Sequence, residues 1–432
     1  MEKLKYSMLK NRYILSLIFV MLCFRAEAQV LTFDSVKVMI LSQNPELEMY
    51  RQQAKSMEAM AEGAKAWEAP QIGAGFFMTP YKTYYWRPQV ESFNGMNEKM
   101  PGMGSFMIQG KQMIPNPSKL NANQEYLKSV SSIETESGNA NANKLLYDAK
   151  KLFSEIQIIY RKTLILKEAE KTLETMITFG ESKLAYNQEM LSYIYKGKSQ
   201  KAQLQNERVM LENERKQKLY YLSSLMNRKK EHLFEVDSQI VIKEYEKAAI
   251  DTVQIRFNRS DMLVLDNNIK VTLLKQKVER YKSRPDFGIE FGHMFAFGEN
   301  PNQFTLMGMM SIPIAPWSSK MYRSNVLAYN HQVKAYYSQK QAIMNESVGM
   351  IYGLKNEISS AKYQLELYKT MILPSLKKSY DLAMIAYAQN TEELFVALDA
   401  QMNFQMAKIQ YEDITLKLLH LQAEYEKQLQ IF

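Results

Sequence analysis

Few residues of this chain combine a reactive type with a useful spacing. The four histidines, His232, His293, His331 and His420, are scattered, with no H-E-x-x-H and no pair at i, i+4. The single cysteine, Cys23, sits in an N-terminal leader, so neither a thiol nucleophile nor a disulfide is expected in the processed chain. There is no P-loop and no G-x-S-x-G. The residues therefore point away from an enzyme, with no catalytic group and no cofactor. Charge and sulfur remain. Asp399 stands on a helix just past a turn, flanked by Glu392 and Glu393. Repeated around a pore, one such carboxylate per copy would make an acidic ring that favours cations and binds multivalent ones. Methionines number 29, and Met96, Met100 and Met103 gather in one long loop, with Met107, Met113, Met307, Met309 and Met310 in the strands beside it. Thioethers suit soft ions such as Cu(I), and they also simply fill space. No firm metal site follows.

The elements that must carry these residues begin after a leader. Lys3, Lys5, Lys10 and Arg12 precede an apolar run from Tyr13 to Phe24, and Ala26-Glu27-Ala28 is a small-x-small cleavage pattern. Residues 1–28 are expected to be a secretory signal peptide. Loss of its five basic and two acidic residues lowers the net charge from +9 to about +6. No Lys/Arg stripe interleaved with aromatics occurs, so nucleic acid is not an expected partner. No later run of 18 apolar residues could form a spanning helix, which leaves a β-barrel as the way into a membrane.

Asp286–Phe297 is the strand that organises the rest. Its odd positions, apart from His293, are large and apolar, while its even positions are mostly small or acidic. That alternation marks a strand with one greasy face, and its length suits a tilted bilayer crossing of roughly 9–11 residues. Similar strands are expected at 71–81, 105–114 and 304–313, with 82–103 as an irregular loop. Aromatics at their ends, Tyr81, Tyr84, Tyr85 and Trp86 at one end and Trp67 and Trp317 at the other, suit an interfacial girdle. Long proline-poor stretches predict helical hairpins over 118–230 and 318–430. The first helix approaches about 100 Å, Ser118 is its expected N-cap, and Pro374 should kink the second hairpin.

The pattern is written twice. Asn44–Gly73 aligns without a gap on Arg259–Gly288, Pro70 on Pro285, and Gly110 and Pro115 fall on Gly308 and Pro313. Two repeats, 29–230 and 257–432, are joined by a linker at 231–256. The duplication is a strong organisational signal. Four strands cannot close a barrel, because such barrels have eight or more. Three copies sharing a 12-stranded barrel above a helical cylinder would satisfy the pattern, a mainly α fold with a shared transmembrane β-barrel.

The Asn44-Pro45-Glu46-Leu47 opening, the proline-bounded strands and Tyr387–Gln401 resemble the TolC-type outer-membrane channels. Family members carry Tyr-x-x-Gly followed by Leu-Asp-Ala-Gln, with Asp twelve residues after Tyr. Here Tyr387-Ala388-Gln389-Asn390 precedes Leu398-Asp399-Ala400-Gln401. Asn390 replaces the glycine and should still take a left-handed turn. The resemblance implies that Asp399 lines the periplasmic aperture, with Val396 where some members have a second acid. Tyr387 then becomes a candidate tip hydrogen bond, with Asn390 and, in the looser first tip, Tyr186. It also implies a homotrimer in outer-membrane lipid that meets a periplasmic adaptor and an inner-membrane RND or ABC transporter, with the helical hairpins in the periplasm. Some relatives export copper and silver. A passive efflux duct, a type I secretion channel and a soluble periplasmic coiled-coil protein stay open at this point.

Overall fold

The computed structural model describes residues 30–93, 95–184, 186, 190–229, 234–247 and 259–432. Cys23, the cleavage position after Ala28, His232 and the ends of the 231–256 linker lie outside the described residues. In chain order the elements are β1 (Val30–Leu31), α1 (Phe33–Gln43), α2 (Pro45–Gly63), β2 (Gln71–Phe77), β3 (Gln89–Phe93), β4 (Met96–Met100), β5 (Ser105–Ile114), α3 (Pro117–Leu184) and α4 (Leu191–Leu225). Then follow β6 (Glu235–Val236), α5 (Ser260–Tyr281), β7 (Asp286–Ala296), β8 (Gln303–Ser311), α6 (Pro316–Leu367), α7 (Leu373–Ala388) and α8 (Leu394–Leu429). Two compact units divide the chain, one of residues 49–139 and 260–344, the other of the remaining segments.

The first unit holds a four-stranded antiparallel sheet in the order β2-β5-β7-β8. The β5–β7 pairing, from Ser105↔Ala296 to Ile114↔Phe287, therefore joins strands from the two halves of the chain at the sheet's centre. Strand alternation sorts the side chains. Phe287, Ile289, Phe291 and Phe295 are each 44–50 % exposed, as are Ile72, Phe76, Phe304 and Leu306 to a greater degree, all on one face. β2 and β8 are the sheet's edges, and each presents unpaired backbone groups that invite another strand. A part-buried clamp fixes where the strands stop. Asp286 accepts from the Asn116 backbone N–H at 3.0 Å and from Lys119 Nζ at 2.6 Å, tying the start of β7 to the start of α3.

Several sequence expectations change here. The cap of α3 is Asn116, whose Oδ1 accepts from the Ser118 N–H at 3.0 Å, with Pro117 in the first helical turn where its missing N–H costs nothing. The strand expected over 71–81 stops at Phe77, because Met78 turns the chain at φ 48°. The loop expected to be irregular contains a short 3₁₀ turn, Thr83–Trp86, and the β3–β4 hairpin. Gly95 takes φ 76° in its turn. Trp86 stacks on Phe297 at 5.1 Å and donates Nε1–H to the Pro80 carbonyl at 2.8 Å.

The second unit is helical. α3 and α4 run antiparallel, with ion pairs from Lys218–Glu155 through Arg208–Glu170 and Lys201–Glu174 to Lys198–Glu181. The outer two, Lys201–Glu174 and Lys198–Glu181, are largely exposed and add at most about 1 kcal/mol each, while Lys218–Glu155 and Arg208–Glu170 are part-buried; together they hold register. α8 lies antiparallel to the other flank of α3 through Lys162–Asp413 and Lys408–Glu168. A core of Val36, Ile40, Leu146, Ile156, Leu222 and Met226 packs α1 against α3 and α4. Between α6 and α7 the helix widens into a π turn over Tyr368–Ile372. Pro374 supplies no N–H, and the wider turn re-pairs the backbone just before it, with the Leu373 N–H reaching the Tyr368 carbonyl.

Candidate functional site

Two regions carry the residues singled out from sequence: the tips of the two helical hairpins and the sheet.

At the tips, the α7–α8 turn is built by Asn390 at φ 59°. The Asn390 N–H reaches the Tyr387 carbonyl at 3.2 Å, and the Thr391 N–H reaches the Ala386 carbonyl at 3.0 Å. These are the two bonds of a helix C-terminus closed through a left-handed residue, so asparagine does take the glycine's conformation. Tyr387 is 1 % exposed. It packs with Leu173, Met176, Ile177, Ile194 and Leu398 between this chain's own two hairpins. Its ring meets Phe179 edge-on at 5.5 Å. Lys183 closes the cluster. Its ammonium donates to the Tyr387 carbonyl and lies 4.0 Å from the Tyr387 ring centre and 4.9 Å from that of Phe179. Gly180 leaves room for this, since a Cβ there would stand 3.0 Å from Leu394 Cδ2 and 3.4 Å from the Tyr387 hydroxyl.

One acid of the second tip is met by the first. Glu393 accepts from the Tyr193 hydroxyl at 2.8 Å, and Lys196 stands 3.5 Å over the ring of Phe395. Glu392 is exposed. Asp399 is half-buried on α8 and accepts from Asn403 Nδ2, one turn on, at 3.0 Å. Tyr186 is 77 % exposed beside the first turn. Lys183 was missed from sequence; a lysine near a helix end reads as solvent-facing, and only the opposing Tyr387 carbonyl makes it a buried donor.

Of the loop methionines, Met103 is exposed between β4 and β5. Met96 and Met100 are exposed on one face of β4, four residues and so about 13 Å apart, too far to share an ion. The histidines also stay apart. His293 lies on the apolar sheet face against Phe295, His331 is exposed, and His420 sits 3.4 Å from Glu155. Among the described residues no three His, Cys, Asp or Glu side chains gather as a metal site, and no helix is long and apolar enough to cross a membrane.

No family model and no curated protein matches this sequence. Solved structures match over most of its length. CusC, described for its transmembrane channel formation, aligns with a TM-score of 0.71 at 13 % identity over 92 % of this chain and 91 % of its own. The CmeC outer membrane channel of Campylobacter jejuni gives 0.68 at 13 %, over 92 % and 85 %. The open state of the Neisseria gonorrhoeae MtrE outer membrane channel gives 0.70 at 12 %, over 92 % and 88 %. Such identities speak for architecture alone, and the three solved chains that share it are described as channels. This mainly helical chain, with its four-stranded sheet, has the fold of the TolC-type outer-membrane channels.

Proposed function

We propose that the chain is a passive outer-membrane exit duct of a tripartite efflux pump. Three copies would each add four strands to one barrel and two helical hairpins to a periplasmic cylinder, one pair of strands and one hairpin from each repeat, 29–230 and 257–432. A periplasmic adaptor and an RND-type inner-membrane transporter would supply contact and energy. The observation that carries this reading is the sheet. It turns a row of phenylalanine, isoleucine and leucine side chains outward and leaves β2 and β8 as open edges. In water both features are liabilities; in a lipid-embedded, multi-chain barrel both are required. The mechanism is passage and gating rather than reaction. Asp399, with Glu392 and Glu393 beside it, would set the sign of the aperture's field. Tyr387 and Lys183 would fasten a chain's own two tips to each other through neutral partners, a contact that opening can release.

The test is the purified full chain in detergent, sized by sedimentation and then reconstituted in planar bilayers. Three copies and stepwise conductance are expected. A monomer that never conducts ends the duct reading.

A further inference from the structure

The polar face of the sheet holds an unexpected class of side chain. Register places Met107, Met113, Met294, Met307 and Met309 on it, alongside Gln, Lys, Glu, Thr and Ser. No Leu, Ile or Val shares that face, whereas the opposite face carries leucine and isoleucine and, of the methionines, Met310 alone. If bulk were all that was needed, branched aliphatics would serve, as they do across the sheet. Instead the large apolar side chains here are almost all thioethers.

They are also paired. Met107 stands directly opposite Met294, and Met113 and Met309 flank Gly288 from the two neighbouring strands. Glycine leaves the space between them empty of side chain. A Cβ on Gly288 would stand 2.8 Å from Met113 Sδ and 3.4 Å from Met309 Cε, so the two thioether ends fold toward each other over it. At Gly292 a single thioether leans in, the Met107 Sδ lying 3.6 Å from the corresponding point with the Thr305 hydroxyl nearer at 2.9 Å. Same-face rows of a sheet follow one another at about 7 Å. Met307 occupies the row after Met113 and Met309, beside Glu290, and the Met107–Met294 pair lies two rows further on.

We propose that these thioethers form a ladder of weak sites for a soft monovalent cation, Cu(I) or Ag(I), along the polar face. This rests on the duct reading, in which that face borders water. Thioethers are neutral, select soft ions over Zn(II) or Mg(II) and release no proton on binding. Two-sulfur sites repeated along a path let an ion bind and leave again, as conduction requires. The cation arrives already in its reduced state, so no redox step is involved. The pairs Met113/Met309 and Met107/Met294 are the principal sites.

The experiment uses the full chain with Cys23→Ser, so that thioethers are its sole sulfur, purified in detergent and titrated with Ag(I). X-ray absorption at the silver edge should report sulfur neighbours. Combining Met113→Leu, Met309→Leu, Met107→Leu and Met294→Leu, which keeps side-chain volume, should weaken silver binding at least tenfold. Met310→Leu on the opposite face should leave it unchanged. Silver held through oxygen or nitrogen alone, or bound as tightly by the fourfold variant, overturns the proposal. Bilayer conductance of the same samples separates the two readings. A chain that binds silver through sulfur and never conducts keeps the site and loses the duct, and one that conducts without silver–sulfur contacts does the reverse.

Discussion

Two buried charges in the helical unit are held in opposite ways. Glu426, 1 % exposed on α8, accepts from Lys150, from Lys243 at 2.9 Å and from the Tyr245 hydroxyl. Lys183, 8 % exposed at the tips, has as its partners among the described residues one backbone carbonyl and the faces of two aromatic rings. A carboxylate ringed by ammonium groups cannot let go without stranding charge in a dry place. An ammonium on a carbonyl and on π faces loses less, because water replaces neutral acceptors well. The belt around Glu426 is thus a permanent fastening of the 243–247 segment to α8, whereas the tip is a releasable one. In the proposed duct, gating at the tips would need that division.

The largest expected effect tests the permanent half. Glu426→Gln leaves the part-buried Lys150 without its counter-charge, while the half-exposed Lys243 can turn to water, and should cost up to about 3 kcal/mol, read as lower thermal stability of helical circular dichroism. The acid side gives the sign. Burial raises the Glu426 pKa, yet hydrogen bonds from Lys150 and Tyr245 prevail and hold it below the usual glutamate range. Its stabilisation is complete above the ordinary value of about 4.3 and is lost as pH falls through the lowered one. The glutamine variant should lack that acid-side loss. A variant as stable as the parent, with the same acid profile, would show the belt to be incidental.

Tyr387→Ala tests the releasable half. Emptying a buried aromatic site costs about 3 kcal/mol, and here the loss should stay local. Limited proteolysis should cut near the tips while the belt-dependent melting changes little. Tyr387→Phe keeps the ring under Lys183 and should resist cleavage as the parent does. If Tyr387→Ala lowers the whole melting transition instead, tip and belt are one cooperative piece and the division fails.

The contrast between the two clusters was also a contrast in legibility. β7 could be read from sequence because one face is apolar and prolines bracket the strands, so a local period of two carries the whole message. The α7–α8 turn was legible because Asn390 sits where a left-handed residue is required. Neither buried charge was legible. Glu426 meets Lys150 and Tyr245 from distant parts of the chain, and no local spacing announces such a meeting. The β3–β4 hairpin was hidden differently. Asn94-Gly95 is strong hairpin-turn chemistry, but its strands are five residues each in a loop crowded with Gly, Pro and aromatics. The methionine pairs became visible only when register set Met113 and Met309 on either side of Gly288.

A smaller effect probes the turn that aims the tip. Asn390 holds φ 59°, a conformation that costs an ordinary side chain about 1–2 kcal/mol. Asn390→Val should loosen the tip by that amount, and Asn390→Gly should leave it intact. Hydrogen exchange at residues 386–394 reads the difference. Equal exchange in both variants would mean that packing of Tyr387, and not the turn, fixes the tip.

The smallest effect on stability is expected at Asp399, and that makes it the sharpest probe of the aperture. Its carboxylate sits one helical turn from Asn403, which donates to it at 3.0 Å. A surface pair at that spacing contributes only about 0.2–0.5 kcal/mol, and asparagine in its place can still accept the bond. Asp399→Asn should therefore leave melting and tip proteolysis as they are, removing charge without removing shape. Any change in conduction is then electrostatic. If three copies ring a pore, the variant loses three charges at one level, cation preference falls, and block by multivalent cations weakens. Glu393, already engaged by the Tyr193 hydroxyl, should matter less when changed to glutamine. Selectivity identical in Asp399→Asn and the parent places this carboxylate outside the pore, and the acidic end of the second tip then needs another explanation.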